Sequence, residues 1–379
     1  MVKFNCINKT LRRTVMAQKI ARLGVSKQDY LKLGIKKNVI AKWEDGLRTS
    51  GKLGEYEWWY FDAKLEGGYS LVIIFYSQPV TAATLGYAPC VSFSLTGGGY
   101  EIMEEVSAKI KDCSFSRKGC DVTIGKNTFS GDLRNYKIHF ENERISCDVA
   151  LSGLAESYRH HTGEFFFGKD KYFAWLPSVP EGKVAADITV EGKKLSLTGS
   201  GYHDHNWGNI GMFWLMHHWY WGRAKIGEYQ VISSYITARK EYGYKHFPIF
   251  VIYKNGEKLG CDIKAITYEQ KEAAFDEITQ KHYHKKLIYD YNDGKHHFRI
   301  TYAAEDIIET FVADEGHGSA RAKASKALIW FVKKMKLAPS YIRMVGTVTL
   351  ERFEGEQAVE TISENGIWEQ MYFGLDEDV

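Results

Sequence analysis

The residues best suited to acid–base chemistry lie close together in the segment Tyr202–Gly208, which reads Tyr-His-Asp-His-Asn-Trp-Gly. If this segment is a strand, side chains two residues apart share a face. One face then carries Tyr202, Asp204 and Asn206, and the opposite face carries two histidines. The spacing therefore places a carboxyl group between two side chains that can hydrogen-bond to it.

Two interpretations compete for this segment. His203 and His205 have a spacing that allows zinc binding, but the sequence identifies neither a third ligand nor the groups that would orient them. Asp204 precedes a stretch rich in Trp and Tyr, where loss of solvation raises a carboxyl pKa and keeps the group protonated near neutral pH. We favour Asp204 as a proton donor, and we predict no metal and no cofactor.

Aromatic side chains follow directly downstream of the segment. The candidate pocket residues of this stretch are Trp214, His217, Trp219, Tyr220 and Trp221. Each Trp or Tyr face stabilises a nearby cation by roughly 0.5–2 kcal/mol, so a pocket lined by them would tolerate a carbocation. On composition alone, β-barrel core packing explains these residues at least as well, with Asp204 tied into a turn by hydrogen bonds.

The elements that must position these residues are strands. Alternation with a period of two, interrupted by Gly, Asn and Asp, predicts a first series over residues 56–63, 69–77, 91–95, 122–124, 136–140, 145–151, 184–190 and 195–198. A second series is predicted over residues 213–226, 228–238, 247–253, 285–290, 297–303, 347–352 and 367–373. Strands at this spacing favour barrels or sandwiches over a parallel sheet, so we predict an all-β, mainly antiparallel chain.

Two basic helical segments complete the predicted organisation. Residues 1–50 carry 12 Lys and Arg against 3 acids, and the apolar spacing predicts a helical N-terminal segment over residues 1–42. An amphipathic helix is predicted near residues 319–336. Each helix either packs on the body of the protein or contacts a membrane surface. A transit peptide is a third interpretation of the N-terminal segment. The two predicted β domains are residues 43–208 and 209–379.

Composition excludes several classes of protein. Of 379 residues, 44% are hydrophobic and 14% aromatic, which excludes a disordered or fibrous chain. A net charge of +3 gives no overall attraction to nucleic acid. No apolar run reaches the roughly 18–20 residues of a membrane span, and residues 1–13 lack the apolar region of a secretory signal, so we predict a cytoplasmic protein, with peripheral membrane contact left open, and free thiols. The sequence lacks the glycine motifs of nucleotide-binding loops and of α/β-hydrolases.

Three separated, Trp-rich motifs resemble one known family. They are Glu57–Ala63 (EWWYFDA), Tyr202–Gly208 and Gly366–Gly374 (GIWEQMYFG). In this order they are similar to the carotenoid hydratase (hydroxyneurosporene synthase) and AttH-like family, over residues 42–374. The resemblance implies two lipocalin-like (calycin) β-barrel domains in one chain. It also implies kinship with fungal Diels–Alderases and, more distantly, with tocopherol cyclases.

The resemblance also implies roles for individual residues. In the hydratases a Tyr-x-Asp pair lies in the site, with the Asp as proton donor to a terminal double bond, and this pair matches Tyr202 and Asp204. A His-x-Trp pair of the hydratases is similar to the stretch from Phe173 to Trp175, in which the Trp is kept and the His is replaced by Phe173. The missing His puts hydration in doubt and makes an intramolecular cyclisation more attractive.

We therefore expect an enzyme that binds a small hydrophobic polyene or isoprenoid and protonates a carbon–carbon double bond, leading to cyclisation or hydration. Asp204 is the expected general acid and Tyr202 its partner. The expected substrate-binding residues are Phe173, Trp175, Asn206, Trp214, His217, Trp219, Tyr220 and Trp221. Two alternatives stay open, a Diels–Alderase-like pericyclic closure and a non-catalytic lipocalin-like carrier, and the oligomeric state is not predicted.

Overall fold

Alternation of apolar and polar residues makes most of the described chain β-strand. A computed structural model describes residues 19–80, 86–312 and 339–374. Residues 145–153, for example, place every second side chain in a core, as expected for a strand with one face buried. Within the described ranges the strands form two antiparallel sheets, which confirms the predicted fold class.

The first sheet holds thirteen strands among the described residues. In chain order they are β1 (Ala21–Leu23), β2 (Tyr56–Leu65), β3 (Tyr69–Gln78), β4 (Cys90–Gly97), β5 (Tyr100–Ser107), β6 (Cys113–Phe115), β7 (Asp121–Ile124), β8 (Asn127–Gly131), β9 (Asn135–Glu141), β10 (Ile145–Gly153), β11 (Glu164–Phe167), β12 (Lys171–Val190) and β13 (Lys193–Gly208). The hydrogen-bonded order is β5-β4-β3-β2-β13-β12-β10-β9-β8-β7-β6, and β11 with β1 branches from β12. Strand β13 therefore lies inside the sheet, between β2 and β12.

Contacts between distant strands show that the first sheet curls around an apolar core. The ring of Phe93 on β4 stacks on that of Phe140 on β9, with 4.7 Å between centroids. Phe75 on β3 meets Phe129 on β8 at 5.5 Å. Because these strands are several positions apart in the sheet order, the sheet must bend into a barrel to bring them together.

The second sheet repeats this arrangement with nine strands in the described part of the chain. They are β14 (Met216–Ile226), β15 (Tyr229–Ala238), β16 (His246–Lys254), β17 (Glu257–Gly260), β18 (Ile266–Asp276), β19 (Lys281–Asn292), β20 (His297–Val312), β21 (Ser340–Glu354) and β22 (Gln357–Tyr372). Their order is β17-β16-β15-β14-β22-β21-β20-β19-β18. Phe250 on β16 stacks on Tyr291 on β19 at 5.3 Å, so this sheet also curls around its own core.

The N-terminal segment is only partly helical where it is described. Helix α1 (Lys27–Leu33) begins at a capping box, in which Ser26 and Asp29 each bind the other's backbone N–H, and it ends at Gly34 with a left-handed φ of 68°. Strand β1 lies within the predicted helical segment and instead pairs with β11. Residues 1–18 and the amphipathic helix predicted near residues 319–336 lie outside the described residues. None of the described helices has the length and apolar character needed to cross a membrane.

A third apolar core lies between the two barrels. It combines outward-facing side chains of the first sheet, such as Tyr56, Phe165 and Trp175, with Ile236 and Ile249 from the second sheet. These side chains point away from the interior of their own barrels. The outer faces of the two barrels therefore pack against each other, and this interface contains the aromatic residues singled out from the sequence.

Candidate active site

The outer face of β13 supplies three of the predicted residues. Alternation along this strand turns Tyr202, Asp204 and Asn206 away from the interior of the first barrel and toward the second sheet. In the neighbouring strand β12, Trp175 pairs in register with Asn206. The four side chains consequently share one patch of the barrel surface.

Asp204 accepts hydrogen bonds from the other three side chains. Its Oδ2 accepts the indole N–H of Trp175 at 2.8 Å and the hydroxyl of Tyr202 at 2.8 Å. Its Oδ1 accepts the amide N–H of Asn206 at 2.7 Å. All three donors are uncharged, and the aspartate is only 6% exposed. The carboxyl group is thus held in one orientation by neutral donors and is largely shielded from water.

The pKa of Asp204 follows from these surroundings. Burial raises it to about 6, while the hydrogen bonds from Tyr202 and Trp175 favour the ionised form and limit the rise. With this pKa, roughly one carboxyl in ten is protonated at pH 7. Such a group can deliver a proton to a substrate and regain one from water close to neutral pH.

Aromatic side chains of the second sheet lie close to this carboxyl in the interface between the barrels, which we call the cleft. Trp221 of β14 lies 5.8 Å from Tyr202 between ring centroids, and Tyr60 of β2 lies 6.3 Å from the same ring. The guanidinium of Arg223 lies 5.2 Å from the centroid of Tyr202 and forms an ion pair with Asp62 of β2. Contacts from both sheets therefore surround the site, which lies between the barrels rather than within either one.

The structure brings together only part of the predicted pocket. Trp219 and Trp221 lie on the outer face of β14, in the same apolar cluster as Phe173 and Trp175. Tyr220, between the two tryptophans, points the other way and packs in the core of the second barrel. Strand alternation thus separates Tyr220 from the cleft, although it is adjacent to two cleft residues in the sequence.

Trp214 and His217 lie near the start of β14. Trp214 belongs to the turn before the strand, where its ring packs on Phe213 at 5.2 Å and lies 5.9 Å from the guanidinium of Arg239. His217 packs on Tyr372 at 4.9 Å. These contacts do not group either residue with the carboxyl site, so their predicted role in substrate binding gains no support from them.

The two histidines of the segment face the interior of the first barrel. His203 donates from Nδ1 to the backbone carbonyl of Tyr60 at 2.8 Å, and its Nε2 lies 3.3 Å from the carboxylate of Asp45. His205 places Nε2 2.8 Å from the carboxylate of Glu57. Asp45 also lies 3.6 Å from Nδ1 of His205, so both histidines pair with buried carboxylates and share Asp45.

The arrangement nearest to a metal site among the described residues is Asp45, Cys120 and His203, whose candidate ligand atoms lie within 4.8 Å of one another. All three residues are buried. The carboxylate of Asp45 accepts the hydroxyl of Tyr136 at 2.5 Å and pairs with His203, and burial raises the pKa of the Cys120 thiol. His205 is not part of this group, so the spacing of the two histidines does not by itself predict it.

Sequence reasoning missed the charged and phenolic side chains of the cleft. They are Tyr60, Asp62, Arg223, Arg343 and Glu369. Three of them lie within the Trp-rich motifs EWWYFDA and GIWEQMYFG. Strand alternation inside those two motifs was a signal that could have identified their outward-facing positions.

Comparison with known proteins places the chain in a family. The sequence profile described as Diels-Alderase-like matches residues 29–312, well over half of the chain. The chain therefore belongs to the Diels-Alderase-like family. This assignment agrees with the kinship to Diels–Alderases that the three sequence motifs imply.

Curated relatives match over part of their length. Hydroxyneurosporene dehydrogenase of Chlorobaculum tepidum is 28% identical over 213 residues, covering 45% of this chain and 54% of that protein. The quinolone epoxide rearrangement protein asqO of Emericella nidulans is 26% identical over 219 residues, covering 49% of this chain and 56% of that protein. The chain thus spans little more than half the length of these relatives.

Solved structures share the fold over most of the chain. CghA has a TM-score of 0.57 at 12% identity and covers 87% of this chain and 94% of its own. Kievitone hydratase from Nectria haematococca has a TM-score of 0.52 at 14% identity, covering 88% of this chain and 93% of its own. A protein described as AttH from Nitrosomonas europaea has a TM-score of 0.52 at 14% identity, covering 86% and 96%. At these identities the likeness shows the lipocalin-like fold.

Proposed function

We propose that this chain is an enzyme that protonates a carbon–carbon double bond of a hydrophobic polyene or isoprenoid bound between the two barrels. Cyclisation or hydration of the resulting cation completes the reaction. The observation that supports the proposal most strongly is the buried carboxyl of Asp204, held by three uncharged donors at the edge of an aromatic cleft. Asp204 is the general acid, and Tyr202, Trp175 and Asn206 orient it.

The proposed reaction begins with Asp204 in its protonated form. The π electrons of the alkene take the proton, so a new C–H bond forms and the Asp204 O–H bond breaks. The three hydrogen bonds to Asp204 then stabilise the carboxylate as its charge develops. The faces of Tyr60 and Trp221 stabilise the substrate cation by roughly 0.5–2 kcal/mol each. Such a general acid contributes a rate factor of about 10²–10⁴.

The names of the relatives support acid chemistry of this kind. One relative is named for the rearrangement of a quinolone epoxide and one structural neighbour for the hydration of kievitone. Alkene hydration and epoxide opening can both begin with delivery of a proton to an uncharged substrate. A buried carboxyl group with a pKa of about 6 supplies that step.

Phe173 favours cyclisation over hydration within this proposal. It occupies the position at which the carotenoid hydratases have a histidine, and its ring packs on Phe165 at 5.7 Å between centroids. An apolar ring there can neither activate nor orient a water molecule. An alkene or oxygen within the substrate is then the more accessible group to capture the cation.

A second candidate function is a pericyclic ring closure that needs no acid. Membership of the Diels-Alderase-like family favours it. In this case the cleft folds a linear polyene into a reactive conformation, and the contribution of the protein is orientation. Asp204 would then bind a polar group of the substrate instead of donating a proton.

Isotope incorporation distinguishes these candidates. Wild type and Asp204→Asn are incubated with a panel of linear isoprenoids and polyenes in D₂O, and the products are analysed by mass spectrometry. We expect a wild-type product with one carbon-bound deuterium and about 10²–10⁴ less of it from Asp204→Asn. A product without deuterium, made equally by both proteins, would establish the pericyclic candidate. A ligand retained without conversion would indicate a carrier.

The control for this experiment is Asp148→Asn. Asp148 lies on β10 of the same barrel, and its side chain is 68% exposed. The substitution removes the same charge far from the aromatic cleft, so turnover should match that of wild type.

A further inference from the structure

A second carboxyl group faces the cleft from the opposite sheet. Glu369 of β22 is the register partner of Trp221 on β14 and of Arg343 on β21. These side chains share the outer face of the second barrel, while Trp368 beside Glu369 points into the core of that barrel. Glu369 lies in the third Trp-rich motif, and the proposed function gives it no role.

Tyr60 lies near both Glu369 and the proposed acid Asp204. It is the register partner of Asp204, so the two side chains share one face of the first barrel. Burial raises the pKa of Tyr60 well above its usual value, and nearby carboxylates that include Glu369 and Asp204 add to the rise. Trp221, the register partner of Glu369, also approaches Tyr202, which donates to Asp204. The two carboxyl groups therefore both lie near Tyr60, one on each sheet.

The neighbours of Glu369 differ in charge from those of Asp204. The hydroxyl of Tyr341 donates to Oε2 of Glu369 at 2.8 Å. Burial and the nearby carboxylate of Glu309 raise the pKa of Glu369, whereas Tyr341, the guanidinium of Arg343 and the side chain of Trp219 favour its ionised form and limit the rise. Asp204 is held by uncharged donors only. A permanent cation beside one carboxyl and neutral donors around the other favour one base and one acid.

We propose that Glu369 is the base that completes the reaction, a role that rests on the proposed protonation by Asp204. After proton transfer from Asp204, the electron pair of a C–H bond next to the cationic carbon forms a new double bond. The proton released from that carbon passes to the carboxylate of Glu369. Where water adds to the cation instead, Glu369 takes the proton of the water. One proton enters from Asp204 and one leaves to Glu369, so double-bond formation needs no further reactant and hydration needs only water. Exchange with solvent then restores the protonated Asp204 and the ionised Glu369.

A lipophilic cation tests whether Glu369 presents negative charge to the cleft. The probe is dodecyltrimethylammonium below its micelle concentration, and dodecanol is the neutral comparison, both measured by isothermal titration calorimetry. We expect Glu369→Gln to weaken binding of the ammonium ion about tenfold and to leave dodecanol binding unchanged. Equal affinity of the ammonium ion for wild type and Glu369→Gln would overturn the proposal.

Two further variants keep this experiment decisive. Glu364→Gln removes the same charge from an exposed position of β22 and should leave both affinities at their wild-type values. Tyr341→Phe removes the hydroxyl that orients Glu369 and should weaken ammonium binding about threefold. Loss of dodecanol binding would show that Glu369→Gln does not fold. Tyr341→Phe then decides the question, because an ammonium affinity equal to that of wild type in Tyr341→Phe would refute the role of Glu369.

Turnover in D₂O separates this proposal from the proposed function. On any panel member that wild type converts, Glu369→Gln should still place deuterium on carbon but release product at least about tenfold more slowly. Deuterated product formed by Glu369→Gln at the wild-type rate would refute only the role of Glu369. A wild-type product without deuterium would refute the protonation by Asp204, regardless of the measured affinities for the ammonium ion.

Discussion

The chemistry available at Asp204 depends on which side chains replace water around it. Tyr202 and Asn206, two residues before and after Asp204 on β13, each supply one donor. Trp175 on β12 supplies the third. Neutral donors stabilise a carboxylate less than a guanidinium does. Asp29 shows the contrast, because the guanidinium of Arg22 beside it lowers the pKa of that carboxyl well below its usual value. Asp204 keeps a raised pKa and with it the ability to donate a proton.

The raised pKa predicts that activity is lost at alkaline pH. Only protonated Asp204 donates a proton, so kcat/KM should fall about tenfold for each pH unit above about 6. The measurement is the pH profile of kcat/KM on any substrate that the panel identifies. A rate that rises with pH over this range would contradict the role of Asp204 as the acid.

Tyr202→Phe tests the origin of this profile. The substitution removes an O–H donor that favours the ionised carboxyl, so the alkaline fall should begin roughly one pH unit higher. Tyr136→Phe is the matched control, because Tyr136 is also buried but donates to Asp45 inside the first barrel. An alkaline fall at the same pH in Tyr202→Phe and wild type would show that Tyr202 does not tune Asp204.

At the scale of elements, strands β12 and β13 decide which way the site residues point. The sequence predicts only residues 184–190 and 195–198 of these strands, whereas the structure continues them through the whole site. Two register shifts, between Pro177 and Val179 and between Val179 and Gly182, interrupt the alternation of β12. As a result Trp175 points outward while Val179, four residues further on, points into the barrel. Bulges of this kind cannot be read from alternation, because they break it.

Because the first sheet curls around a closed core, we expect removal of one core ring to lower the free energy of unfolding by a large amount. Phe93 is 1% exposed and stacks on Phe140 across the barrel, so Phe93→Ala should lower the free energy of unfolding by about 3–5 kcal/mol. Urea unfolding at equilibrium measures the change. Phe275→Ala is the control, because that ring is 43% exposed, and its loss should cost less than about 1 kcal/mol. Equal losses of unfolding free energy in Phe93→Ala and Phe275→Ala would contradict a closed core around Phe93.

At the scale of the whole molecule, the site exists because two barrels meet by their outer faces. The ion pair between Arg223 and Asp62 joins β14 of the second sheet to β2 of the first. Lys225 and Glu181 form a second such bridge, with 2.6 Å between Nζ and Oε1. These contacts join the two sheets close to the point where Tyr202, which donates to Asp204, meets Trp221 of the other barrel.

The bridge between the sheets predicts energetic coupling across the cleft. The side chains of Arg223 and Asp62 are 12% and 15% exposed, so a double-mutant cycle of Arg223→Gln and Asp62→Asn should give a coupling energy of about 1–3 kcal/mol in urea unfolding. The exposed pair Arg144 and Glu191, which joins two turns of the first barrel, should give less than about 1 kcal/mol. Coupling no larger at the first pair than at the second would argue against a fixed cleft.

Local patterns allowed part of the fold and site to be predicted. Alternation with a period of two is a property of each segment, and it was sufficient for the antiparallel β class and two strand series. It also placed Tyr202, Asp204 and Asn206 on one face, since these residues lie on a single strand. The same local rule, applied to residues 219–221, would have excluded Tyr220 from a pocket that holds its two neighbours.

The sequence by itself therefore determined the class of fold and the shared face of Tyr202, Asp204 and Asn206, because short-range geometry controls both. Only the tertiary structure decided that the candidate site lies between the barrels, that Trp175 is the third donor to Asp204, and that Glu369 shares a face of the second barrel with Trp221. Each of these depends on strands far apart in the chain that meet through bulges, curled sheets and packed outer faces. Such contacts arise from the packing of whole elements, which alternation within one segment does not encode.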